Sequence, residues 1–341
     1  MTTRSHRVPP AEKERTDPMS EDTISSAAVV PAYRATMMFH PSHHVPDLNE
    51  AEEWFRRVFG RDSIPLSILS KNRTDGKKGP DYSTFTPISD VLFDTIDPKK
   101  YVILGEQRYA AVETPHLKAL GWYVEGMTEL FGELKRRGIK VMSQLDELAD
   151  GDEPPHAAGA PMPLFFTYPE DAGIRYEFMP PPPGPSPLDP RTTPGWTRPP
   201  VSEDDPLGIV CCSHHTVLTD RPERVMQLTV DVLGGTVIGE GRDEVRGTTC
   251  TWVRLADSVF EYAVPDEGTA AHADRAARAP HDTYHALTFR VADLAKVERH
   301  LEAQGVRIAL RSADTIVVDP ATALGVPWGF TTAVLPGDDR V

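Results

Sequence analysis

Apolar residues recur at intervals of three and four positions in four separate stretches of the chain, and a glycine follows each stretch. The clearest stretch covers 51–59 and stops at Gly60, and its counterpart covers 225–233 and stops at Gly234. This spacing places the apolar side chains on one face of a helix, and glycine is a common helix stop. The other two predicted helices lie at 127–137 and 294–304. Asn49 is predicted to cap the first helix, with Glu52 reaching back.

A strand-like run of apolar residues precedes each predicted helix. These first strands are predicted at 36–44, 117–124, 209–219 and 284–291. Later strands are predicted at 101–105, 164–168, 174–178, 251–255, 259–264, 315–318 and 328–333. Each stretch therefore has the pattern strand, helix, then more strands, and the chain contains four such βαβββ modules. Helices on one side of mostly antiparallel strands predict an α+β fold class.

The four modules repeat as two pairs. The pattern at 51–60 returns 174 positions later, and the same displacement carries His40 onto His214. The pattern at 127–141 returns 167 positions later, at 294–308. We therefore predict two domains of one design, 34–180 and 208–336, with two modules in each.

The segments outside these two domains show no hydrophobic period. Residues 1–33 contain scattered prolines and charges and are predicted to form a disordered tail. Residues 181–207 are dense in proline, which cannot donate a backbone hydrogen bond, so they are predicted to be a semi-rigid, extended linker.

The net charge of −15 disfavours a general affinity for nucleic acid or anionic membranes, since both require clustered positive charge. The three cysteines are too few for a disulfide scaffold, and no apolar run approaches the roughly 20 residues that span a bilayer. We therefore expect a cytoplasmic protein whose partner is a small-molecule substrate. A homo-oligomer is left open.

Histidines and carboxylates on the predicted strands are the candidates for chemistry. His40 and His44 project to one face of the first strand, His214 repeats His40, and His285 opens the first strand of the fourth module. Glu177 and Glu261 each interrupt an apolar strand, where a charge usually requires a partner. Two imidazoles and one carboxylate suit Fe, Zn, Mn or Ni with positions left for substrate. The alternatives are structural histidines and a Glu261 that simply pairs with an arginine such as Arg254.

Four segments carry a resemblance to a known family: "FHPSHHVPDLNEAEEWFRRVFG", "TYPEDAGIRYEFMP", "SHHTVLTDRPERVMQLTVDVLGG" and "YHALTFRVADLAKVERHLEAQGVRI". The chain resembles the vicinal oxygen chelate superfamily over roughly residues 34–335. That resemblance implies paired βαβββ modules, which form cupped mixed sheets around a divalent metal that chelates two neighbouring substrate oxygens. The family's first-strand ligand matches His40 and His214, with His285 as a near match. Its last-strand glutamate matches Glu177 and Glu261, whereas Gly329 stands where the fourth module should have one.

The resemblance implies two candidate ligand sets. The first choice is His214, His285 and Glu261, and the second is His40, His44 and Glu177. The favoured activity is an extradiol-type ring-cleaving dioxygenase with Fe2+. A glyoxalase-like isomerase, epimerase or lyase with Zn2+, Mn2+ or Ni2+ is the alternative. The third hypothesis is a non-catalytic binder of small ligands, whose pocket would be lined by Trp122, Trp252 and Trp328.

Overall fold

The computed structural model describes residues 32–70 and 80–340. The predicted tail, residues 1–33, lies outside the described residues except for its last two positions. From residue 32 onward the chain forms one compact unit. No helix in the two described ranges is long and apolar enough to cross a bilayer.

Each of the four modules folds into a strand, a helix and three further strands. The first module comprises β1 (Arg34–His44), α1 (Leu48–Trp54), β2 (Ile64–Pro65), β3 (Ser83–Ile88) and β4 (Val91–Ile96). A small hairpin follows, β5 (Val102–Ile103) and β6 (Glu106–Gln107). The second module comprises β7 (His116–Glu125), α2 (Met127–Arg136), β8 (Val141–Met142), β9 (Phe165–Thr167), the short helix α3 (Pro169–Ala172) and β10 (Arg175–Met179).

The second half of the chain repeats this order. The third module comprises β11 (Ile209–Leu218), α4 (Pro222–Met226), β12 (Thr236–Asp243), β13 (Thr248–Leu255) and β14 (Ser258–Pro265). Helix α5 (Ala270–Ala277) links it to the fourth module. That module comprises β15 (Thr283–Val291), α6 (Leu294–Ala303), β16 (Ile308–Arg311), β17 (Thr315–Val318) and β18 (Gly329–Thr331).

Two modules share each of two eight-stranded mixed sheets. The orders are β2-β3-β4-β1-β7-β10-β9-β8 and β12-β13-β14-β11-β15-β18-β17-β16. The first strands of two modules pair antiparallel at the centre of each sheet, and the last strand of each module runs parallel beside its own first strand. The α+β prediction is therefore confirmed. The sheets fall within 34–180 and 208–336, and these domain boundaries remain a prediction.

Local sequence reasoning was wrong at two places in the first module. Asp47, not Asn49, caps the first helix, since its carboxylate accepts from the backbone N–H of Asn49 at 2.7 Å. The strand predicted at 101–105 is only the two-residue β5, which pairs outside the large sheets. The inner strand β4, which carries a functional candidate, was not predicted.

The helix faces of both halves pack into one continuous aromatic core. Trp328 is fully buried, and its ring centroid lies 6.1 Å from that of Trp54 and 5.0 Å from that of Phe93. Trp122 also lies fully buried in this core. These two tryptophans are therefore core residues, and neither lines a ligand cavity.

The proline-dense segment 181–207 packs against the protein surface along part of its length. It contains a single 3-10 turn, Pro190–Thr192, and it buries the side chains of Leu188, Asp189, Arg191 and Leu207. The part of the segment just before this turn borders the first sheet, and Arg191 itself bonds to β1.

Removal of the central indole is expected to destabilise the whole unit. Trp328→Ala should lower the free energy of unfolding by about 3–5 kcal/mol because it opens a large cavity between the halves. Urea denaturation followed by near-ultraviolet circular dichroism measures the loss. Trp196→Ala is the matched control, since Trp196 is only partly buried. Equal losses in the two variants would contradict this account of the core.

Candidate functional site

His40 lies where β1 breaks register with β7, between Met38 and His40. The imidazole covers Gly121 of β7, and a Cβ added to that glycine would lie 3.1 Å from its Nε2. That separation is tighter than ordinary van der Waals contact. Glycine at position 121 therefore gives the imidazole the room to cross β7.

Two carboxylates flank the His40 ring, one on each side. Nδ1 lies 3.8 Å from Oδ2 of Asp94 on β4, and Nε2 lies 3.9 Å from Oε2 of Glu177 on β10. The hydroxyl of Ser42 also lies 3.2 Å from Nδ1. The sheet thus gathers one imidazole and two carboxylates from strands that are far apart in sequence.

Burial dominates the electrostatics of this group. Desolvation raises the pKa of Glu177 to about 7 against the opposing charges of Arg108 and Arg175, and it raises the pKa of Asp94 well above its usual value. Desolvation, aided by the charge of Arg191, lowers the pKa of His40 to about 3. Within the described residues neither carboxylate forms an ion pair with a lysine or arginine. A buried carboxylate and a partly buried one therefore flank the imidazole without a bonded lysine or arginine.

These three side chains line a cavity of about 580 Å³, which we call the N-terminal cup. Most of its walls are aromatic, and its rim includes prolines of the 181–207 segment. These aromatic and proline residues include Phe39, Phe85, Tyr82, Tyr101, Tyr109, Tyr123, Pro181, Pro182 and Pro183. Lys118 and His44 also line it. The cup combines an apolar body with a few polar groups, which is typical of a small-molecule site.

Asp94 is the site residue that sequence reasoning missed. It pairs in register with Ser42, as Glu261 pairs with Thr216 in the second sheet. The available signal was a carboxylate inside the apolar run "VLFDTI", which parallels "SVFEYA" 167 positions later. It was overlooked because no strand was predicted there.

The equivalent face of the second sheet, which we call the C-terminal cup, brings His214 and Glu261 together. Nε2 of His214 lies 3.6 Å from Oε2 of Glu261. Glu261 also accepts hydrogen bonds from Nε1 of Trp252 at 3.0 Å and from Oγ1 of Thr216 at 3.1 Å. Arg254 is not its partner and pairs instead with Asp339. Glu261 is thus satisfied by neutral donors of the protein.

An arginine occupies the rest of the C-terminal cup. The guanidinium of Arg246 donates from Nη2 to Thr288 at 3.1 Å and pairs through Nη1 with Asp243 at 2.9 Å. A Cβ added to Gly329 would lie 2.8 Å from that Nη2. The guanidinium of Arg246 therefore fills the space beside Gly329, where the fourth module lacks a glutamate.

His285 does not join His214 and Glu261. Its Nδ1 lies 2.6 Å from Oδ2 of Asp274, and its ring lines a separate cavity of about 460 Å³ together with Arg246. Neither His214 nor Glu261 lines that cavity. The three residues of the first-choice set therefore do not surround one cavity in the described residues.

His44 lies in the N-terminal cup but away from His40. Four residues along a strand correspond to about 13 Å at roughly 3.3 Å per residue. The His44 ring packs 4.8 Å from Tyr109 and 5.7 Å from His116. Of the second-choice set, His40 and Glu177 therefore meet, and His44 belongs to the far end of the cavity.

Whether a divalent metal fits these donors depends on their chemistry and on their spacing. In the described ranges no three His, Cys, Asp or Glu side chains already stand in a metal-binding arrangement. The donor set of the N-terminal cup nevertheless fits such an ion, because the buried carboxylate of Asp94 and the partly buried carboxylate of Glu177 lack a cation and an imidazole lies between them. The C-terminal cup does not fit one, because Arg246 supplies the positive charge there.

The chain was compared with known proteins. No family model matches it, and no curated protein is significantly similar. Solved structures do match over nearly the whole chain. The Mn(II)-bound glyoxalase from Novosphingobium aromaticivorans has 12% identity, covers 91% of this chain and 86% of its own, and gives a TM-score of 0.54.

Two further structures match over a similar extent. A mutant of 4-hydroxymandelate synthase from Streptomyces coelicolor has 14% identity, covers 89% of this chain and 95% of its own, and gives a TM-score of 0.54. A 2,3-dioxygenase from Pseudomonas sp. KL28 has 12% identity, covers 90% and 96%, and gives 0.51. The fold of this chain is therefore similar to the folds of these three proteins. At this identity the likeness extends to the fold alone, and it confirms the resemblance found in the sequence.

Strand register identifies four equivalent positions in each cup. In the first sheet they are His40, Asp94, Gly121 and Glu177. In the second sheet they are His214, Glu261, Thr288 and Gly329. Three of the four positions in the N-terminal cup hold a possible metal ligand, against two of four in the C-terminal cup.

A methyl group at position 121 should displace the His40 ring. We expect Gly121→Ala to lower thermal stability and to shift the imidazole signals of His40 in nuclear magnetic resonance spectra, because the new Cβ enters the space of the ring. Gly132→Ala is the control: this exposed position inside α2 has open space, and alanine there should stabilise by about 1 kcal/mol. Unchanged His40 signals in Gly121→Ala would refute the proposed contact.

The raised pKa of Glu177 predicts a pH-dependent stability in metal-free protein. Its carboxyl binds a proton more tightly when folded than when unfolded, so its contribution is full below pH 4.5 and is lost as pH rises toward about 7. Glu177→Gln cannot ionise and lacks this loss. Urea denaturation in chelator should show the variant gaining stability relative to wild type between pH 4.5 and 7, then a constant difference. Parallel curves across that window would contradict the pKa assignment.

Proposed function

We propose that the N-terminal cup is the active site of a divalent-metal-dependent enzyme that acts on a small oxygenated substrate. The observation that carries this proposal is the placement of His40 between the carboxylates of Asp94, which is buried, and Glu177, which is partly buried, on the wall of a cavity of about 580 Å³. A cation that enters from solvent would balance them.

His40, Asp94 and Glu177 would hold the ion. When bound, it would polarise two neighbouring oxygens of a substrate and stabilise the negative charge that develops on them. Imidazole and carboxylate ligands suit Fe2+, Mn2+, Zn2+ and Ni2+, and Fe2+ remains the first choice for oxygen chemistry whereas the other three suit proton transfer.

Proton transfer is the chemistry that the residues favour. Glu177 lines the cavity, and its carboxylate would take and return a proton if it released the ion. A substrate chelated by the ion would lie beside this carboxylate. This supports an isomerase, epimerase or lyase.

The aromatic walls favour a second candidate, the extradiol-type dioxygenase. Tyr82 and Tyr101 stack with ring centroids 3.7 Å apart, and Phe39 and Phe85 border the His40 ring. Flat aromatic surfaces of this kind suit a catecholic ring. Both candidates use the same cup and the same three residues.

The far end of the cup favours a substrate with an anionic group. Lys118 lines the cavity, and desolvation lowers the pKa of its ammonium group. No ion pair to Lys118 occurs within the described residues, and its nearest aromatic neighbour is Tyr109, with Nζ 6.0 Å from the ring centroid. A substrate carboxylate would supply the missing partner.

Metal binding tests the proposal, with His214→Ala as the matched control from the equivalent position of the other cup. Wild type should bind one Mn2+ in isothermal titration calorimetry, His40→Ala and Glu177→Gln should lose that ion, and His214→Ala should keep it. Loss of the ion in His214→Ala alone would move the site to the C-terminal cup. Absence of any binding in wild type would leave the ligand-binding protein as the better hypothesis.

The reaction class can be determined by assays of the metal-bound enzyme. Proton transfer predicts deuterium uptake from D2O at the carbon beside the carbonyl of 2-hydroxycarbonyl acids, and its loss in Glu177→Gln. Oxygen consumption on catechols with Fe2+, followed in an oxygen electrode, would instead favour the dioxygenase. Lys118→Met should raise KM for carboxylated substrates and leave KM for neutral analogues unchanged.

A further inference from the structure

The irregularity in β1 that presents His40 has a mirror in β11, just before His214. The register shifts between Met38 and His40 in one strand and between Cys212 and His214 in the other. Such a shift leaves backbone groups of the strand without ladder partners, and buried groups of this kind require other partners. The partners found here come largely from outside each strand's own module.

Each irregularity receives a carboxylate from the opposite sheet. Oδ1 of Asp257, in the turn between β13 and β14, accepts the N–H of Met38 at 2.8 Å. Oδ1 of Asp90, in the turn between β3 and β4, accepts the N–H of Cys212 at 2.7 Å. The two bonds are reciprocal, because each half of the chain completes the first strand of the other.

Both turns hold a strained residue directly before the aspartate. Ser89 has φ of 54° and Ala256 has φ of 50°, in the left-handed region that residues other than glycine seldom adopt. Such strain persists only where the surrounding structure maintains it. The same strain at equivalent places in both halves indicates that the direction of the aspartate matters.

Two Asp-x-Arg clamps complete the arrangement. Arg191, paired with Asp189 at 2.9 Å, donates to the carbonyl of Phe39 at 2.5 Å and to that of Asp90 at 3.0 Å. The first clamp thus joins the His40 irregularity to the turn that carries Asp90.

The second clamp repeats these bonds in the other half. Arg340, paired with Asp338 at 2.8 Å, donates to the carbonyl of Ser213 at 2.7 Å and to that of Asp257 at 3.0 Å. The hydrogen bonds of Asp257, Arg191, Asp90 and Arg340 therefore close a ring through the strand segments 38–39 and 212–213. This ring passes through both irregularities and crosses between the halves twice.

We propose that Asp257, from the half that lacks a metal-binding cup, is a positioning residue for His40. This inference rests on the proposed function, since it assigns the His40 side chain to a working metal site. Together with Arg191, Asp257 fixes the backbone on the N-terminal side of His40 and so sets the direction of its imidazole across Gly121. The C-terminal half thereby supports a site in which it supplies no ligand.

The matched pair Asp257→Ala and Asp90→Ala tests the inference in the full chain. Each variant removes one equivalent bond to the opposite strand and one local contact, with Ser258 for Asp257 and with Arg198 for Asp90, so similar losses of melting temperature are expected. Only Asp257→Ala should weaken Mn2+ binding, by about 10-fold or more, as is usual when support for a ligand is lost. Asp90→Ala leaves both bonds at the His40 irregularity intact and should bind as wild type does. Asp257→Asn, whose amide oxygen can still accept from Met38, should restore most of the affinity.

Equal affinities in Asp257→Ala and Asp90→Ala would overturn the positioning role. A wild type without Mn2+ affinity would overturn the proposed function instead, and the role of Asp257 is then judged on metal-free protein. The His40 ring signal, identified by its absence in His40→Gln, should shift in Asp257→Ala and stay unchanged in Asp90→Ala. An unshifted signal in Asp257→Ala refutes positioning by a measurement that needs no metal.

Discussion

The aromatic core between the two sheets is the constraint on which the other features depend. Trp328 of the second half lies among Trp54 and Phe93 of the first, so neither half buries its helix faces alone. With that contact in place, the turns of one sheet reach the first strand of the other, and the reciprocal bonds of Asp90 and Asp257 become possible. The shared core and the two cups are therefore parts of one design.

The two halves balance the charge of their cup carboxylates in different ways. Each cup gathers a histidine and a carboxylate in a place where charge is costly to bury. In the C-terminal cup, Arg246 brings a permanent positive charge, and Trp252 and Thr216 satisfy Glu261. In the N-terminal cup, Ser83 donates to Asp94, but neither Asp94 nor Glu177 pairs with a lysine or arginine within the described residues. The two cups therefore differ in whether the chain itself places a cation inside the cup.

Most of the fold could be predicted from the sequence. The spacing of apolar residues indicates which faces are buried, and the long-range repeats indicate duplicated domains. The helix stripes before Gly60 and Gly138, with their repeats before Gly234 and Gly305, were enough to predict four modules. The site was harder, because a ligand set depends on strand register and on which groups a histidine meets. His285 was expected to bind a metal together with His214 and Glu261. Its imidazole instead bonds to Asp274 of α5, a helix that the periodicity did not reveal. Asp94 was missed with its strand, although its apolar setting matched that of Glu261.

The close approach of Arg246 and Thr288 to Gly329 makes a carboxylate at position 329 hard to acquire. A glutamate there would collide with the guanidinium, and loss of Arg246 alone would leave Asp243 without its counter-charge. Either single change would give a less stable protein, so a carboxylate in the last strand of the fourth module requires two coordinated substitutions. A metal ligand at this position can therefore arise only together with the loss of the arginine.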